Sequence, residues 1–188
     1  MNNQKKRQLE SVRTVIKWVL SVLLAGIFYI YMTTGQHSIP LPLIYIPMTV
    51  AVASKTEPFT AGLWGLFCGM MTDSAFDKLF GFNAIIFAAA AVLISLMFLY
   101  ILRQNIMNIL LLNAVFIPIQ AGLDFLFFYG IWNYPDEGLI WLHIFMPQML
   151  MTLIWTLPVY LIMKWIFKRF GPIEETYIEE KSEDIVRE

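Results

Sequence analysis

Long apolar stretches dominate this sequence and restrict what it can fold into. A helix needs about 20 apolar residues to cross the hydrocarbon core of a bilayer. Apolar residues make up 59% of the chain and charged residues only 14%, which is too little polar surface for a soluble protein with this many buried helices. We therefore predict an all-α integral membrane protein, a compact bundle of six transmembrane helices. The predicted spans are 15–34, 39–53, 59–73, 82–102, 106–132 and 139–167.

The basic residues predict the orientation of this bundle. Lys and Arg are enriched in the cytoplasmic flanks of membrane helices. With six crossings, both ends of the chain and the loops that hold Lys55 and Arg103 share one side, and Lys78 lies on the other. We therefore predict that both termini are cytoplasmic. The predicted segments are a basic N-terminus at 1–14, a membrane domain at 15–170 and an acidic tail at 171–188.

Three features of the chain have simple interpretations. The first apolar stretch is long for a signal peptide and no small-x-small cleavage site follows it, so we expect it to be retained as a helix. The single Cys68 lies in the third stretch, which excludes an intramolecular disulfide and a cysteine metal cluster. The acidic tail is interpreted as a solvated segment, with a weak docking segment for a basic cytoplasmic partner as the alternative.

A stripe of glycines runs along the third apolar stretch. Gly62, Gly65, Gly69 and Asp73 are spaced i, i+3, i+7 and i+11, which places them on one face of a helix. Small residues on one face allow another helix to approach closely in a membrane. The stripe therefore predicts a helix-packing surface, and the other helix belongs either to the same bundle or to a partner protein.

The fifth apolar stretch repeats this spacing with polar residues. Asn113, Gln120 and Asp124 share one face, and polar groups facing lipid would lack hydrogen-bond partners. We predict that this face points into the bundle, a cavity or a partner. Two interpretations remain open: the side chains make interhelical hydrogen bonds, or Gln120 and Asp124 line a cavity that accepts a ligand or a partner's side chain.

The sequence offers little support for catalysis. It contains no phosphate-binding loop, nucleophile elbow or zinc-binding helix motif. His143 and His37 have no second histidine, cysteine or well-spaced carboxylate beside them, so no metal site is predicted. Asp73 and Asp77 form a carboxylate pair without an implied base or pocket. We expect a protein that is not an enzyme and that has no cofactor.

The stretch 60–84 resembles the bacterial rod-shape-determining MreD family. Members of this family carry Gly-x-x-x-Gly-x-x-x-Asp in a membrane helix, followed after a short loop by Gly and small apolar residues. The loop 74–80 departs from this pattern, because it holds Asp77 and Lys78 where many members have Ser and Gly. Asp124 and the sequence from Trp155 to Pro158 also match the family's layout. The residues that match the motif are Gly65, Gly69, Asp73, Gly81 and Ala84.

This resemblance implies a non-enzymatic role in the complex that builds peptidoglycan during cell elongation, at the inner (plasma) membrane of a bacterium. It implies an MreC-like single-span protein as partner, bound through a transmembrane helix surface that includes the glycine stripe and Gly81. Further implied partners are MreB, RodA and a penicillin-binding transpeptidase, with membrane lipid around the bundle and no nucleic acid.

A different class of protein is the alternative. The substrate-binding S subunits of energy-coupling-factor transporters are also six-helix proteins of about this size. In that interpretation Asn113, Gln120 and Asp124 would contact a small-molecule substrate. The first span carries only Ala25 and Gly26 as adjacent small residues, and it lacks the spaced alanines that docking to a coupling subunit would use.

Overall fold

The structure, a computed structural model, describes residues 3–34, 41–132 and 137–170. These residues form helices joined by short connections, without a strand, so the prediction of an all-α fold is confirmed for the described part of the chain. A 3-10 turn, Gly130–Trp132, follows α5, and a π-helical turn, Trp141–Phe145, joins α6 to α7. The helices are α1 (Asn3–Thr34), α2 (Tyr45–Ala53), α3 (Pro58–Ala75), α4 (Phe82–Tyr100), α5 (Ile106–Phe128), α6 (Glu137–Ile140) and α7 (Met146–Phe170).

Four helical segments are long and apolar enough to cross a membrane. They are Leu9–Thr34, Phe82–Tyr100, Ile106–Phe128 and Gly138–Phe170, and they correspond to the first, fourth, fifth and sixth predicted spans. Because α1 already begins at Asn3, most of the predicted N-terminal segment is a continuation of the first helix. The predicted acidic tail lies outside the described residues.

The second predicted span is wrong in its helical extent. Its helix, α2, contains nine residues and is therefore roughly 13 Å long, less than half of a hydrocarbon core of about 30 Å. Residues 41–44, directly before α2, do not form a regular helix, and Pro42 disfavours helical geometry in Leu41, the residue that precedes it. Residues 39 and 40 of the predicted span lie outside the described residues. α3 has 18 residues, close to the length predicted for the third span.

α2 forms the centre of the bundle. Every residue from 42 to 54 is buried, and α2 packs against α3, α4, α5 and α7. Irregular backbone needs hydrogen-bond partners when it is surrounded by apolar side chains. Here α7 provides them: Thr152 Oγ1 accepts from the Leu43 N–H at 2.9 Å, and Gln148 Nε2 donates to the Leu41 carbonyl at 3.0 Å. These contacts fix the entry into α2.

The contacts between helices define two ends of the bundle. At one end Trp18 of α1 lies 5.6 Å from Trp64 of α3 and 6.2 Å from Phe167 of α7, between ring centroids. The connections after α2 and α4 meet at the same end, where Lys55 Nζ donates to Gln104 Oε1 at 3.3 Å. At the opposite end the α3–α4 connection, which carries Lys78, lies against α5. Basic residues at the first end are Arg13, Lys17, Lys55, Arg103, Lys164, Lys168 and Arg169.

Candidate functional site: the α3–α4 hairpin and its polar network

The glycine stripe of α3 lies directly against α4. A methyl group placed at Gly65 would overlap the carbonyl oxygen of Phe87 and would lie 2.8 Å from Ala91 Cβ. A methyl group at Gly62 would lie 2.9 Å from a Val92 methyl carbon. Side chains at these positions would therefore force the two helices apart. The sequence left open whether the stripe packs on a helix of the same bundle or on a partner protein. In the structure it packs on α4 of the same bundle.

The approach is equally close at Gly69, the last glycine of the stripe. A methyl group at Gly69 would overlap the backbone of Asn83 and Ala84, in the first turn of α4. This contact brings Asp73, one helical turn further along α3, to the N-terminus of α4. Asp73 is 1% exposed.

Asp73 is buried because the start of α4 provides its hydrogen bonds. Its Oδ2 accepts from the Gly81 N–H at 2.8 Å, and its Oδ1 accepts from the N–H and the side-chain amide of Asn83 at 3.2 and 2.9 Å. The first N–H groups of a helix have no partner within the helix, and they carry partial positive charge. Asp73 thus caps α4 and compensates its own burial with three donors.

Gly81 makes the connection to α4 possible. It directly precedes the first residue of α4, and its backbone φ angle is 99°. This is a left-handed conformation that residues other than glycine rarely adopt. This conformation turns the Gly81 N–H toward Asp73. Earlier in the same connection Asp77 also has a positive φ, of 49°, which Asp tolerates better than most residues.

Asn83 continues the network from α4 to α5. Because its amide nitrogen donates to Asp73, its Oδ1 faces the other way and accepts from Gln120 Nε2 at 2.8 Å. The same Gln120 nitrogen donates to Asp124 Oδ2 at 2.8 Å. Carboxylate acceptors at both ends therefore determine the orientation of both amides.

Lys78 completes the network at Asp124. Its ammonium forms an ion pair with Asp124 Oδ2 and lies 5.8 Å from the ring centroid of Phe128. The Lys78 side chain is 20% exposed and the Asp124 side chain 2%. The ion pair thus connects a buried carboxylate in α5 to the rim of the bundle, and it ties α5 to the α3–α4 connection.

The polar stripe of α5 is buried as its spacing predicted, but its members have different partners. Asn113, Gln120 and Asp124 are at most 1% exposed. Gln120 and Asp124 join the network, whereas Asn113 Nδ2 donates to the carbonyl of Ile109 in its own helix at 2.9 Å. Three acceptor oxygens have no partner among the described residues: Asn113 Oδ1, Gln120 Oε1 and Asp124 Oδ1.

The network involves residues that the sequence analysis did not select. Asn83 was not singled out, because one amide at the start of an apolar helix has no distinctive spacing. Lys78 is predicted from the sequence as the basic residue opposite the others and as a departure from the MreD loop pattern, but not as a partner of Asp124. A usable signal existed, since an ionisable group within an apolar span is costly unless it is paired and Lys78 is the basic residue predicted on that side.

Other candidates from the sequence do not join this site. Cys68 is buried and free, and His143 Nδ1 lies 3.0 Å from the Leu139 carbonyl. His37 lies outside the described residues. No group of three metal-ligating side chains occurs within ranges 3–34, 41–132 and 137–170. Beside the network, Phe82 stacks on Phe127 with 4.5 Å between ring centroids, so aromatic packing also holds α4 to α5.

Comparison with known proteins yields no match: no family model, no curated protein and no solved structure is significantly similar to this chain. The site is therefore interpreted from its own chemistry. Its carboxylates, amides and ammonium are mostly engaged with one another, in an arrangement that joins α3, α4 and α5.

Proposed function

We propose that this chain is a non-enzymatic, multi-pass component of a bacterial inner (plasma) membrane, acting in the complex that elongates rod-shaped cells through peptidoglycan synthesis. In this proposal it is MreD-like and binds an MreC-like single-span protein through a transmembrane helix surface. An MreB filament, a RodA polymerase and a penicillin-binding transpeptidase are further proposed members of the assembly.

The observation that supports this proposal most directly is the construction of the α3–α4 hairpin. The residues that carry the resemblance to the MreD family have related structural roles there. Gly65 and Gly69 permit close packing on α4, Gly81 forms the turn into α4, and Asp73 caps that helix. The motif spacing therefore has a physical reason in this chain. The role in elongation is inferred from the resemblance.

The proposed membrane arrangement has six crossings. The four long apolar segments cross as single helices, α3 crosses beside α4, and α2 crosses together with the irregular segment before it. α2 and residues 42–44 before it are buried among other helices, which makes the short helix and its irregular backbone tolerable, whereas α3 keeps an exposed apolar face that includes Phe59 and Leu63. The end that carries most basic residues is proposed to face the cytoplasm.

The partner surface is proposed to lie on α1, because α4 covers the glycine stripe. α1 contacts mainly α3 and α7, and its outward face includes Val19, Leu23 and Ile30, which are 51%, 57% and 62% exposed. Gly26 lies between them, and a methyl group there would meet nothing within 4 Å. A small residue within an apolar helix face suits contact with a second transmembrane helix.

Copurification tests this proposal. The tagged chain would be extracted from its own cells in a mild detergent, and the proteins that accompany it would be identified by mass spectrometry. We expect an MreC-like protein and wall-synthesis enzymes. Gly26→Leu should keep the chain folded, because the position is open, and should lower recovery of the MreC-like protein several-fold by preventing close helix approach. Gly122→Leu is the matched control, since Gly122 is also open and lies on α5.

Two results would contradict the proposal. Recovery of paired ATPases with a coupling membrane subunit would instead identify a transporter S subunit, and recovery of neither set of proteins would remove the support for an elongation role. Equal losses with Gly26→Leu and Gly122→Leu would reject α1 as the specific contact surface.

A further inference from the structure

The polar network contains two neighbouring acceptor oxygens that the described part of the chain does not use. Gln120 Oε1 and Asp124 Oδ1 are buried and accept no hydrogen bond there. They belong to adjacent groups, because Gln120 Nε2 donates to the other carboxylate oxygen, Asp124 Oδ2, at 2.8 Å. Rotating the Gln120 amide would not help, since its nitrogen donates to Asn83 Oδ1 as well as to Asp124 and an oxygen in its place would face two acceptors. Buried acceptors of this kind normally have a partner in the protein or in ordered water.

Lys78 adds a donor beside these two acceptors. An ammonium carries three N–H groups, and the acceptor that the described residues offer to Lys78 is Asp124 Oδ2. The rings of Phe76 and Phe128 lie on other sides of the ammonium, with centroids 5.4 and 5.8 Å from its nitrogen. The surroundings of the Asp124 carboxylate therefore combine two unused acceptors with N–H groups that can donate to a further oxygen.

These properties restrict what can bind there. Gln120 and Asp124 are at most 1% exposed, so a partner's side chain cannot reach the two oxygens without separating the helices. A second cation beside Lys78 would be repelled, and hard divalent cations require about six oxygens, whereas two are unused. A water molecule is small, donates two hydrogens, accepts others, and makes about three hydrogen bonds when buried. Because the Lys78 side chain is 20% exposed, the ion pair adjoins the surface from which water would enter.

We propose that ordered water binds beside the Lys78–Asp124 ion pair, donating to Asp124 Oδ1 and Gln120 Oε1 and accepting from the Lys78 ammonium. The ion pair is then hydrated although the carboxylate is buried, and this part of the bundle is a site for water and not for a bulky substrate. Asn113 Oδ1 does not belong to the site, because Asn113 lies roughly 10 Å from Gln120 along α5. The inference is independent of the proposed role in cell elongation.

Water-edited solid-state NMR of the full-length, ¹³C-labelled chain in lipid bilayers tests the proposal. Asp73 provides an internal control, since Asp73 and Asp124 are both 1% exposed but Asp73 is engaged by three donors of the protein. We expect magnetisation from water to reach the carboxyl carbon of Asp124 several-fold faster than that of Asp73. Equally slow transfer to both carbons would overturn the proposal.

Two further arms identify the source of the transfer. Lys78→Met removes an ammonium whose exchangeable hydrogens could relay magnetisation, and transfer to Asp124 should remain faster than transfer to Asp73. Loss of the difference in this variant would assign it to the ammonium and reject bound water. Replacing choline chloride by sodium or potassium chloride should leave the Asp124 signals unchanged, whereas a shift that saturates with either cation would identify an ion site instead.

Cryo-electron microscopy of the unmodified chain in nanodiscs, with a bound antibody fragment, gives a measurement that needs no variant. We expect density about 2.7–3.0 Å from Asp124 Oδ1 and Gln120 Oε1, the usual distance of O–H···O hydrogen bonds. A map that shows other buried waters but nothing at these oxygens would overturn the proposal. None of these measurements involves a partner protein, so their failure is distinct from failure of the proposed elongation role.

Discussion

Asp73 shows how a single carboxylate can be buried in an apolar helix without a counter-ion. It receives three hydrogen bonds from Gly81 and Asn83 at the start of α4, where the first N–H groups of the helix lack partners within the helix. Removing it would leave the buried N–H and side-chain amide of Asn83 and the partly buried N–H of Gly81 without their acceptor. A carboxylate at this position is thus tied to the glycine that turns the chain and to the amide that follows.

Asp73→Ala is expected to lower the free energy of unfolding by about 3 kcal/mol or more, since each buried donor left without an acceptor costs roughly 1–3 kcal/mol. For a chain of this size this lowers Tm by roughly 6–12 °C, measurable by thermal unfolding in detergent. Asp77→Asn is the control, because Asp77 is exposed and Asn accepts its positive φ. Equal losses from the two substitutions would show that the cap is not the cause.

Lys78 and Asp124 form an ion pair that joins the α3–α4 connection to α5. Lys78→Met would leave Asp124 buried without its ammonium partner, and we expect a loss of roughly 2–4 kcal/mol. Combining it with Asp124→Leu should recover part of that loss, because the unpaired charge is removed as well. Thermal unfolding of the two single variants and the double variant gives the coupling energy. Additive losses would mean that the ion pair does not form.

For single residues, the sequence predicted burial better than it predicted interaction partners. The spacing of Asn113, Gln120 and Asp124 was enough to predict that all three face inward. It could not predict that Asp124 pairs with Lys78, because the path of the α3–α4 connection depends on two residues with positive φ. Nor could spacing separate Asn113, which bonds to its own helix, from its two neighbours in the network.

Among the elements, α3 and α4 form the most closely packed pair. Their approach is set by Gly65 and Gly69, where any side chain would meet the backbone of α4. A packing surface of this kind tolerates no added volume, because moving one helix also displaces Asp73 from the α4 terminus. Close packing and the cap therefore depend on each other.

Gly65→Ala is expected to destabilise the chain and to lower the yield of monodisperse protein in detergent. Gly122→Ala is the matched control on α5, where the added methyl group meets nothing within 4 Å. Because alanine favours helix over glycine by about 1 kcal/mol, this control should be neutral or slightly stabilising. Fluorescence-detected size-exclusion chromatography after heating would compare them. Similar behaviour of both variants would contradict the close packing described here.

The lengths of the apolar stretches predicted the bounds of some helices well and of others poorly. α4 and α5 match their predicted spans closely, since each is an apolar run bounded by polar or turn-forming residues. α2 does not, because the same apolar composition suits a buried extended segment as well as a helix. Burial of residues 42–54 on all sides removes the one-sided periodicity from which a helix could have been recognised.

The whole molecule has a marked asymmetry of charge between its two ends. Lys78 is engaged with Asp124 at one end, while the other end carries the exposed side chains of Lys164, Lys168 and Arg169. Such a distribution favours one orientation in a membrane over its inverse. The count of six spans was enough to predict that the connections lie alternately at the two ends. The sequence did not predict the contacts between helices that produce this arrangement.

The proposed orientation predicts which positions are labelled from outside the cell. In a Cys68→Ala background, Leu79→Cys should react with a membrane-impermeant maleimide in intact spheroplasts, because Leu79 is exposed in the α3–α4 connection. Gln104→Cys should react only after the membrane is opened. The reverse pattern would invert the proposed orientation, and labelling of both positions from outside would contradict it.

The hydrogen bonds at the entry to α2 have a consequence for biogenesis. Leu43 and Thr152 are separated by 109 residues, and Leu41 and Gln148 by 107. During synthesis, the second segment therefore leaves the ribosome long before its polar partners in α7 exist. A nine-residue helix is also too short to be recognised by itself as a membrane span. The hydrogen bonds that fix the entry into α2 can therefore form only after the last helix has been synthesised.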